Sequence, residues 1–439
     1  MAVYRFSALR DGQALSFHPD TDFLSFDQSI ISAADLRVQV SGAHTHIQVM
    51  SGPQAGKDIL LLNTTPLQLA TSNVGFDNGS QLLFGDDSLS QAGDNGDNVL
   101  DGSSGRDLMQ GFGGNDTYVV SAGDVLADTG GIDRVISSAS WNLGTGFENL
   151  TLIGGAIEGG GNSVANVITG NEANNVLNGR AGNDTLFGAG GNDVFNMSNG
   201  GEASYGADSI DGGDGTDTVD FSGNARSAVV ADLEAGAMSG GGSGGAGSAT
   251  LANIENLIGG AFADRFLGSN EGNNFYGYGS SDTLAGANGN DTLRGADGDD
   301  WLYGGFTFAT SGAPTGNDVL VGGAGLDHFV FNDAPNPVLG GAAATADRIA
   351  DFRSGTDEFV FDDNVFPTIG PAGDYVPNDP RFFAAAGAVS GHDATDRVVY
   401  NTTTGDLYYD PDGSGDAPAQ IIATLQEHPT VAATDITII

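Results

Sequence analysis

Aspartate and asparagine recur at one position of a nine-residue pattern, and their oxygen atoms could bind a metal ion. From Gly93 the chain contains nonapeptides of the form G-x-x-G-x-(D/N)-x-U-x, where U is a large apolar residue. Seventeen such units occupy residues 93–119, 161–196, 203–220 and 259–330. Stacked turns would bring their sixth-position carboxylates together, and such close like charges need a cation between them. A site made only of oxygen atoms favours calcium over zinc or copper.

The candidate metal ligands are sixth-position residues of these units and two aspartates of a later loop. They are Asn98, Asp107, Asp116, Asn166, Asn175, Asp184, Asp193, Asp208, Asp217, Asp264, Asn273, Asp282, Asp291, Asp300, Asp318, Asp327, Asp410 and Asp412. The segment from Asp410 has the D-x-D-x-S-G start of a calcium loop, but Ile421 stands where such loops have a twelfth-position glutamate. A simple hairpin turn is therefore the alternative at this loop.

The eighth position of the unit indicates how the repeats fold. It is apolar in sixteen of seventeen units, although apolar residues make up only 39% of the chain. The pattern predicts a short strand followed by a six-residue turn, in which first- and fourth-position glycines permit positive φ and close backbone approach. The exception, Ser311, lies in a degenerate unit, yet Asp300 and Asp318 remain 18 residues apart, which argues against an inserted loop. One inward side chain per strand gives a thin core, so the units must stack.

The units GRAGNDTLF, GANGNDTLR and GGAGLDHFV resemble the nonapeptides of RTX (repeats-in-toxin) proteins. The resemblance implies an all-β fold, namely a right-handed parallel β-roll or β-helix solenoid with small β domains at both ends. Two nonapeptides form each turn, and calcium (Ca²⁺) lies between turns, bound by sixth-position carboxylates and loop carbonyls. Asp282 would then stack on Asp300, and Asp300 on Asp318. The family's repeat rule implies about 7 to 12 ions. A Gly/Asp-rich linker that binds nothing is the alternative, and the fixed period argues against it.

The repeat blocks divide the chain into seven segments. We expect an N-terminal β domain for anchoring or assembly at 1–90, a first RTX block at 91–120, a non-calcium β-solenoid connector at 121–160, a second block at 161–220, a second connector at 221–258, a third block at 259–330, and a C-terminal β domain with a type I secretion signal at 331–439. The two connectors share a short motif, Phe147-Glu148-Asn149-Leu150 in one and Ile254-Glu255-Asn256-Leu257 in the other.

Charge and composition exclude several classes of function. The 57 acidic and 14 basic residues give a net charge of −43, which repels nucleic acids and anionic membranes. The absence of cysteine excludes disulfides, zinc ribbons and thiol catalysis. The sequence contains neither an N-terminal secretory signal nor an 18-residue apolar stretch that would form a transmembrane segment. Residues 434–439 are similar to the uncleaved signals of type I export. We therefore expect an extracellular or cell-surface protein exported by a type I secretion apparatus without a cleaved N-terminal signal.

The sequence indicates a structural protein more than an enzyme. A G-x-S-x-G motif at Gly241–Gly245 lacks the strand and helix of a nucleophile elbow, and no H-E-x-x-H metalloprotease motif occurs. We expect a calcium-binding, non-protease RTX protein that folds and self-assembles on meeting extracellular calcium, as in a surface layer, biofilm matrix or adhesin. Its partners would be calcium, the type I secretion apparatus, and further copies of the chain or cell-surface polysaccharide. The alternative is a secreted enzyme, polysaccharide-active or another hydrolase, that uses the roll for secretion and folding. No catalytic residue and no organic cofactor is assigned.

Overall fold

The computed structural model describes residues 2–69, 73–84, 96–197, 203–223, 225–305, 316–332 and 346–439. The chain divides into two compact units, residues 1–191 and residues 192–439, here called the N-terminal and C-terminal units. The described residues form β-strands and 3-10 helices of three residues each. These 3-10 helices are Phe6–Ala8, Ala33–Asp35, Pro66–Gln68, Ser243–Gly245 and Ala433–Asp435. The predicted all-β fold is therefore confirmed.

The N-terminal unit contains strands β1 to β19 among its described residues. They are β1 (Val3–Arg5), β2 (Gln13–Leu15), β3 (Phe23–Phe26), β4 (Leu36–Ser41), β5 (His44–Val49), β6 (Asp58–Leu61), β7 (Val74–Phe76), β8 (Leu82–Phe84), β9 (Val99–Asp101), β10 (Leu108–Gly113), β11 (Thr117–Val120), β12 (Val125–Gly130), β13 (Arg134–Ser137), β14 (Trp141–Asn142), β15 (Asn149–Leu152), β16 (Glu158–Gly160), β17 (Val167–Thr169), β18 (Val176–Asn178) and β19 (Thr185–Gly190).

Strands of the N-terminal unit stack in parallel at nearly regular intervals. The succession β9, β11, β13, β15, β17 and β19 forms one sheet, and β14, β16 and β18 pair in the same way. The eighth-position residues Ile168 and Leu186 lie opposite each other, and Leu150 of the first connector lies opposite Ile168, so both pairs are 18 residues apart. This register is that of a parallel β-roll with two nonapeptides per turn, and it confirms the predicted fold class.

The first 84 residues fold against the start of this stack. Strands β2, β6, β5 and β4 form one sheet, and β1, β3 and β7 form another. Strand β8 pairs in parallel with β10, which in turn pairs with β12. The apolar core that includes Phe6, Phe26 and Ile47 also contains Leu108 of the first repeat block. The described residues between 2 and 84 therefore share a core with the first repeats.

The C-terminal unit contains strands β20 to β41 among its described residues. They are β20 (Val194–Asn196), β21 (Ala207–Asp214), β22 (Thr218–Asp220), β23 (Val229–Asp232), β24 (Ala237–Gly240), β25 (Ser248–Ala252), β26 (Asn256–Ile258), β27 (Arg265–Leu267), β28 (Asn274–Gly279), β29 (Thr283–Ala285), β30 (Thr292–Asp297), β31 (Trp301–Tyr303), β32 (Val319–Ala324), β33 (His328–Phe331), β34 (Asp347–Ile349), β35 (Glu358–Phe361), β36 (Gly373–Asp374), β37 (Phe382–Ala385), β38 (Val398–Asn401), β39 (Asp406–Tyr409), β40 (Gln420–Leu425) and β41 (Ile436–Ile438).

The C-terminal unit is also built from two series of parallel strands. One series runs through β20, β22, β26, β28, β30, β32, β34 and β40, and the other through β23, β27, β29, β31, β33, β35 and β41. In the second connector, β24 pairs antiparallel with both β23 and β25. Strands β38, β39 and β40 form an antiparallel meander. Residues 346–439 therefore extend both series, because β40 pairs with β34 and β41 with β35.

One predicted stacking step is wrong. Strand β30 pairs with β32 so that Leu293 lies opposite Leu320, and β31 pairs with β33 so that Leu302 lies opposite Phe329. Both steps span three nonapeptides instead of two. The expected stacking of Asp300 on Asp318 is therefore replaced by pairing across an omitted unit. Ser311 and most of its degenerate unit fall within residues 306–315, which lie outside the described part of the chain.

The apolar eighth-position residues form the core of both units. All sixteen of them are buried, and among the C-terminal residues Leu284, Leu293 and Leu302 are 0% exposed. Each fully buried side chain of this size contributes about 1.5–3 kcal/mol. Among the described residues, no helix is long and apolar enough to span a membrane. The stack therefore depends on one side chain per strand.

Leu177→Ala should destabilise the N-terminal unit much more than Val176→Ala. These neighbours on β18 differ in exposure, since Leu177 is 0% and Val176 is 42% exposed. Truncation of a buried leucine leaves a cavity and costs about 2–5 kcal/mol, whereas an exposed change costs roughly 0.5 kcal/mol or less. Urea unfolding in saturating calcium, followed by circular dichroism, measures the two free energies of unfolding. Equal losses in the two variants would contradict the assignment of the core.

Candidate metal centre

Sixth-position side chains link successive turns of the N-terminal unit through hydrogen bonds. The Asn98 N–H donates to Asp116 Oδ1 at 2.7 Å, and the Asp116 N–H donates to Asp133 Oδ1 at the same distance. The Asn166 N–H donates to Asp184 Oδ1 at 2.8 Å in the same manner. Each such bond joins the backbone of one turn to the carboxylate of the next. We call a succession of these bonds a carboxylate ladder.

Among the described residues of the C-terminal unit, two series of carboxylate ladder bonds follow the two series of strands, and the first is interrupted between Glu255 and Asn273. The first is formed by N–H to carboxylate bonds that lead in order through Asp193, Asp217 and Glu255, and again through Asn273, Asp291, Asp318 and Asp347. The second is formed by such bonds through Val229, Asp264, Asp282, Asp300, Asp327 and Asp357. Its donor to acceptor distances lie between 2.7 and 3.4 Å. The ladders therefore follow the strand register, including the two steps that omit a unit.

The predicted metal ligands are almost all buried. Sixteen of the eighteen lie in the buried class, and Asn98 and Asp412 are half-buried. Asp107, Asp193, Asp217, Asp282, Asp300, Asp327 and Asp410 are 0% exposed. Aspartate is seldom fully buried unless its charge is compensated. Either protonation or a cation must compensate the charge of so many buried carboxylates.

Many carboxylates of the ladders retain one oxygen without a hydrogen bond. In Asp282, Asp291 and Asp300, Oδ1 accepts a backbone N–H, whereas Oδ2 is buried and has no hydrogen-bond partner. The same holds for Oδ2 of Asp107, Asp133, Asp217 and Asp327. A buried acceptor without a partner costs about 1–3 kcal/mol, and more when it is charged. These oxygen atoms fit a divalent cation that prefers oxygen ligands.

Burial makes the ionised form of these carboxyl groups costly. It raises the pKa of Asp282 to about 8 and that of Asp291 to about 7. It also raises the pKa of Asp107 and of Asp300 to about 6, although backbone hydrogen bonds act in the opposite direction. A cation next to a carboxylate favours its charged form. A bound cation would therefore remove the main electrostatic cost of the stack.

First-position glycines are required because the sixth-position carboxylate lies against them. A Cβ at Gly286 would lie 2.2 Å from Asp291 Oδ2, and one at Gly295 would lie 2.0 Å from Asp300 Oδ2. Where an added Cβ at a first-position glycine would meet this oxygen, the φ of that glycine lies outside the left-handed region. The close approach of the carboxylate to the backbone is therefore enough to explain the need for glycine. Positive φ was also predicted there, and this part of the prediction is wrong. It occurs instead at the fourth position, as at Gly298 with a φ of 146°, and at the second, as at Arg180 with 71°.

Carbonyl oxygens of the neighbouring turn share the space beside the first-position residue. A Cβ at Gly259 would lie 2.2 Å from Asp264 Oδ2 and 2.6 Å from the Gly277 carbonyl oxygen. The corresponding atom at Gly277 would lie 2.1 Å from Asp282 Oδ2. Carboxylate and carbonyl oxygens thus line one small space per turn, and calcium coordinates this combination.

Three asparagines of the predicted set have protein partners at both ends of the amide. Asn273 Oδ1 accepts the Ser269 N–H at 2.8 Å, and Asn273 Nδ2 donates to the Glu255 carbonyl at 3.0 Å. Asn166 and Asn175 also donate through Nδ2 to carbonyls of the preceding turn. The amide N–H of asparagine bonds directly to the neighbouring carbonyl oxygen. A carboxylate in this position has no such hydrogen and would need a cation as its positive partner. These turns are therefore joined by direct hydrogen bonds.

Six acidic residues outside the predicted set also belong to the ladders. They are Asp124, Asp133, Glu148, Glu255, Asp347 and Asp357, and each accepts a ladder N–H. Each also stands two residues before an apolar residue, as the sixth position does relative to the eighth. The shared FENL and IENL motifs place Glu148 and Glu255 in equivalent ladder positions. A search of the sequence for an acidic residue two positions before an apolar residue, with no requirement for glycine, would have found all six.

The loop at Asp410 is built mainly from backbone hydrogen bonds. Asp410 Oδ1 accepts the Gly413 N–H at 2.8 Å, and Asp410 Oδ2 accepts the Gly391 N–H at 2.8 Å. Asp412 Oδ2 accepts the Ala417 N–H at 3.0 Å, whereas its Oδ1 is buried without a hydrogen-bond partner. Both oxygens of Asp410 thus stabilise the turn between β39 and β40, and Asp412 Oδ1 remains available to a metal ion.

The G-x-S-x-G motif does not form a nucleophile elbow. Its serine, Ser243, begins the 3-10 helix Ser243–Gly245 between antiparallel strands β24 and β25. A nucleophile elbow places the serine between a strand and an α-helix. Strand β24 does precede the motif, so the prediction that no strand does so is wrong, but a three-residue 3-10 helix and β25 stand in place of an α-helix.

Gly286→Ala should weaken the third repeat block, whereas Gly279→Ala should be tolerated. The added methyl at residue 286 meets Asp291 Oδ2, whereas at residue 279 the nearest atom is 3.8 Å away. Overpacking of this kind costs about 1–3 kcal/mol. The calcium concentration at the midpoint of the folding transition, followed by circular dichroism, should rise for Gly286→Ala only. An equal rise in both variants would show that close approach to the carboxylate is not the reason for the glycine.

Comparisons with known proteins agree with the geometry of the ladders. No curated protein sequence matched the chain. A family model of the RTX calcium-binding nonapeptide repeat matches residues 92–127, 160–195, 202–225, 276–306 and 315–332. Among solved structures, extracellular lipase LipA from Serratia marcescens is matched with 14% identity and a TM-score of 0.20, over 70% of this chain and 45% of that one. The chain thus spans less than half of that lipase, and the TM-score supports no inference about activity. The repeat model and the stacked parallel strands together show that the chain contains RTX calcium-binding nonapeptide repeats.

Proposed function

We propose that this RTX protein is a secreted structural protein that folds on meeting extracellular calcium and then associates with further copies at the cell surface. RTX repeats bind calcium and are typical of extracellular proteins exported by type I systems. The observation that carries the proposal is the row of buried carboxylates whose Oδ2 atoms have no hydrogen-bond partner in consecutive turns, as in Asp282, Asp291 and Asp300.

Calcium would act as the trigger of folding through the carboxylate ladders. The net charge of −43 opposes compaction, and each turn buries one apolar side chain against the next. A ligand that binds only the folded chain stabilises it in proportion to the logarithm of its concentration. Extracellular calcium modules bind with dissociation constants of about 10⁻⁴ to 10⁻³ M. The chain would therefore stay expanded during export and fold outside.

Apolar side chains on the outer faces of the strands support self-association. In the N-terminal unit, Val167 is 40%, Val176 42% and Phe187 39% exposed. In the C-terminal unit, Tyr276 is 36% and Tyr278 is 48% exposed, and these two rings contact each other. Contiguous apolar patches mark surfaces that bind other proteins, and the neighbouring Tyr276 and Tyr278 rings are the part of these faces that comes nearest to one. A second copy of the chain would be the partner of these faces.

Removal of calcium should unfold the repeat blocks. In a chelator, far-ultraviolet circular dichroism should show mostly coil, and millimolar calcium should restore the strand signal. Magnesium at the same concentration is the control, because it demands shorter, octahedral coordination. A full strand signal in the chelator would contradict calcium-triggered folding.

Calcium-loaded protein should form ordered sheets or filaments in electron micrographs and elute early from a size-exclusion column. The same protein in chelator should remain unassembled, since the outer faces exist only after folding. Soluble monomers that degrade a polysaccharide in calcium would overturn the structural role and favour an enzyme.

A further inference from the structure

Residues 128–136 fold as a repeat unit although they lack the first-position glycine. The sixth residue of this segment, Asp133, accepts the Asp116 N–H through Oδ1 at 2.7 Å, as in the ladders. The fourth residue, Gly131, has a φ of 149°, and the eighth, Val135, is 0% exposed. In the first position stands Asp128. The segment was assigned from the sequence to the calcium-free connector, because the consensus demands a glycine there.

Asp128 brings a third carboxylate to the carboxylates of two stacked turns. One oxygen from each of Asp116, Asp128 and Asp133 lies within 4.8 Å of the other two. The carboxylate of Asp128 is held in place because Tyr118 Oη donates to Oδ2 and the Gly130 N–H donates to Oδ1 at 2.8 Å. This cluster is here called the Asp128 cluster. Its position is fixed by the tyrosine and by the tight turn after β12.

The buried side chain of Asp133 points to a ligand in the Asp128 cluster. Asp133 is 0% exposed, and its Oδ2 has no hydrogen-bond partner. Neither Asp128 nor Asp133 forms an ion pair with a basic residue of the described chain. A buried charged oxygen with neither kind of partner is strongly unfavourable. A cation among the three carboxylates would satisfy it.

The geometry of the Asp128 cluster is compatible with a calcium ion. Calcium binds oxygens at about 2.3–2.6 Å, so two ligands on opposite sides of one ion lie about 5 Å apart. The limit of 4.8 Å between the three oxygens is compatible with a single calcium ion. Magnesium, with bonds of about 2.0–2.1 Å, needs a tighter arrangement. The cluster contains only oxygen ligands, which argues against zinc.

We propose that Asp116, Asp128 and Asp133 bind one calcium ion in the turn between β12 and β13. The first-position aspartate contributes a side-chain ligand where fifteen of the seventeen nonapeptides have a glycine. The proposal rests on the calcium binding proposed for the whole chain, and it adds a site in a segment without the consensus.

Asp128→Asn tests the site in the full-length protein. The substitution keeps the size of the side chain and an acceptor for the Gly130 N–H but removes the charge. Calcium would be counted by mass spectrometry after dialysis from millimolar calcium, and circular dichroism would verify folding. The variant should retain one calcium ion fewer per chain than the unsubstituted protein. Glu158→Gln, which removes an exposed charge from the same connector, should leave the count unchanged.

The outcomes separate this proposal from the proposed function. If the unsubstituted protein retains no calcium, calcium-triggered folding fails. If it retains calcium and Asp128→Asn retains the same number, the additional site does not exist. Should Asp128→Asn fail to fold, Asp128→Gly, which restores the consensus residue, decides the question. A loss of one ion in the glycine variant supports the site, and an unchanged count overturns it.

Discussion

The fold depends on burying a row of carboxylates, each of which accepts a backbone N–H from the preceding turn. This bond fixes the spacing of the turns, since Asp282 and Asp300 can form their ladder bonds only when the strands beside them are in register. The same carboxylate explains the first-position glycine, because a methyl group there would overlap with Oδ2. The positive φ values at the second and fourth positions follow from the tight turn that brings the carboxylate inward.

Because these carboxylates are buried, folding of the chain is coupled to the compensation of their negative charge. A ladder of buried aspartates is unfavourable without cations, whereas a turn with asparagine is joined by direct hydrogen bonds, as Asn273 is to the Glu255 carbonyl. The chain therefore contains turns of two kinds, those with a free carboxylate oxygen and those without one. The distribution of these two kinds of turn along the chain determines how strongly the stability of each part of the stack depends on bound metal. In a chain without cysteine, metal can provide the links that disulfides provide elsewhere.

Much of the fold could be predicted from the sequence, because the eighth position reports burial directly. Leu284, Leu293 and Leu302 repeat at nine residues, and all three are fully buried. The stacking of Asp300 on Asp318 could not be judged in this way, since omission of a whole unit preserves the nine-residue count. Asp133 and Glu148 were missed because the search required glycines, whereas the ladder requires only an acid two residues before a buried side chain. The pairing of β40 and β41 with distant strands depends on tertiary contacts that no local pattern encodes.

The second ladder of the C-terminal unit is closed at both ends. It begins at Val229, whose N–H donates to Asp264 Oδ1 but whose side chain has no carboxylate to accept a bond from another turn. It ends at Asp357, whose N–H already donates to the Arg353 carbonyl at 2.9 Å. Another chain therefore cannot prolong this ladder by the bond that built it. The number of carboxylates in this ladder is therefore set by the polypeptide itself and does not depend on protein concentration.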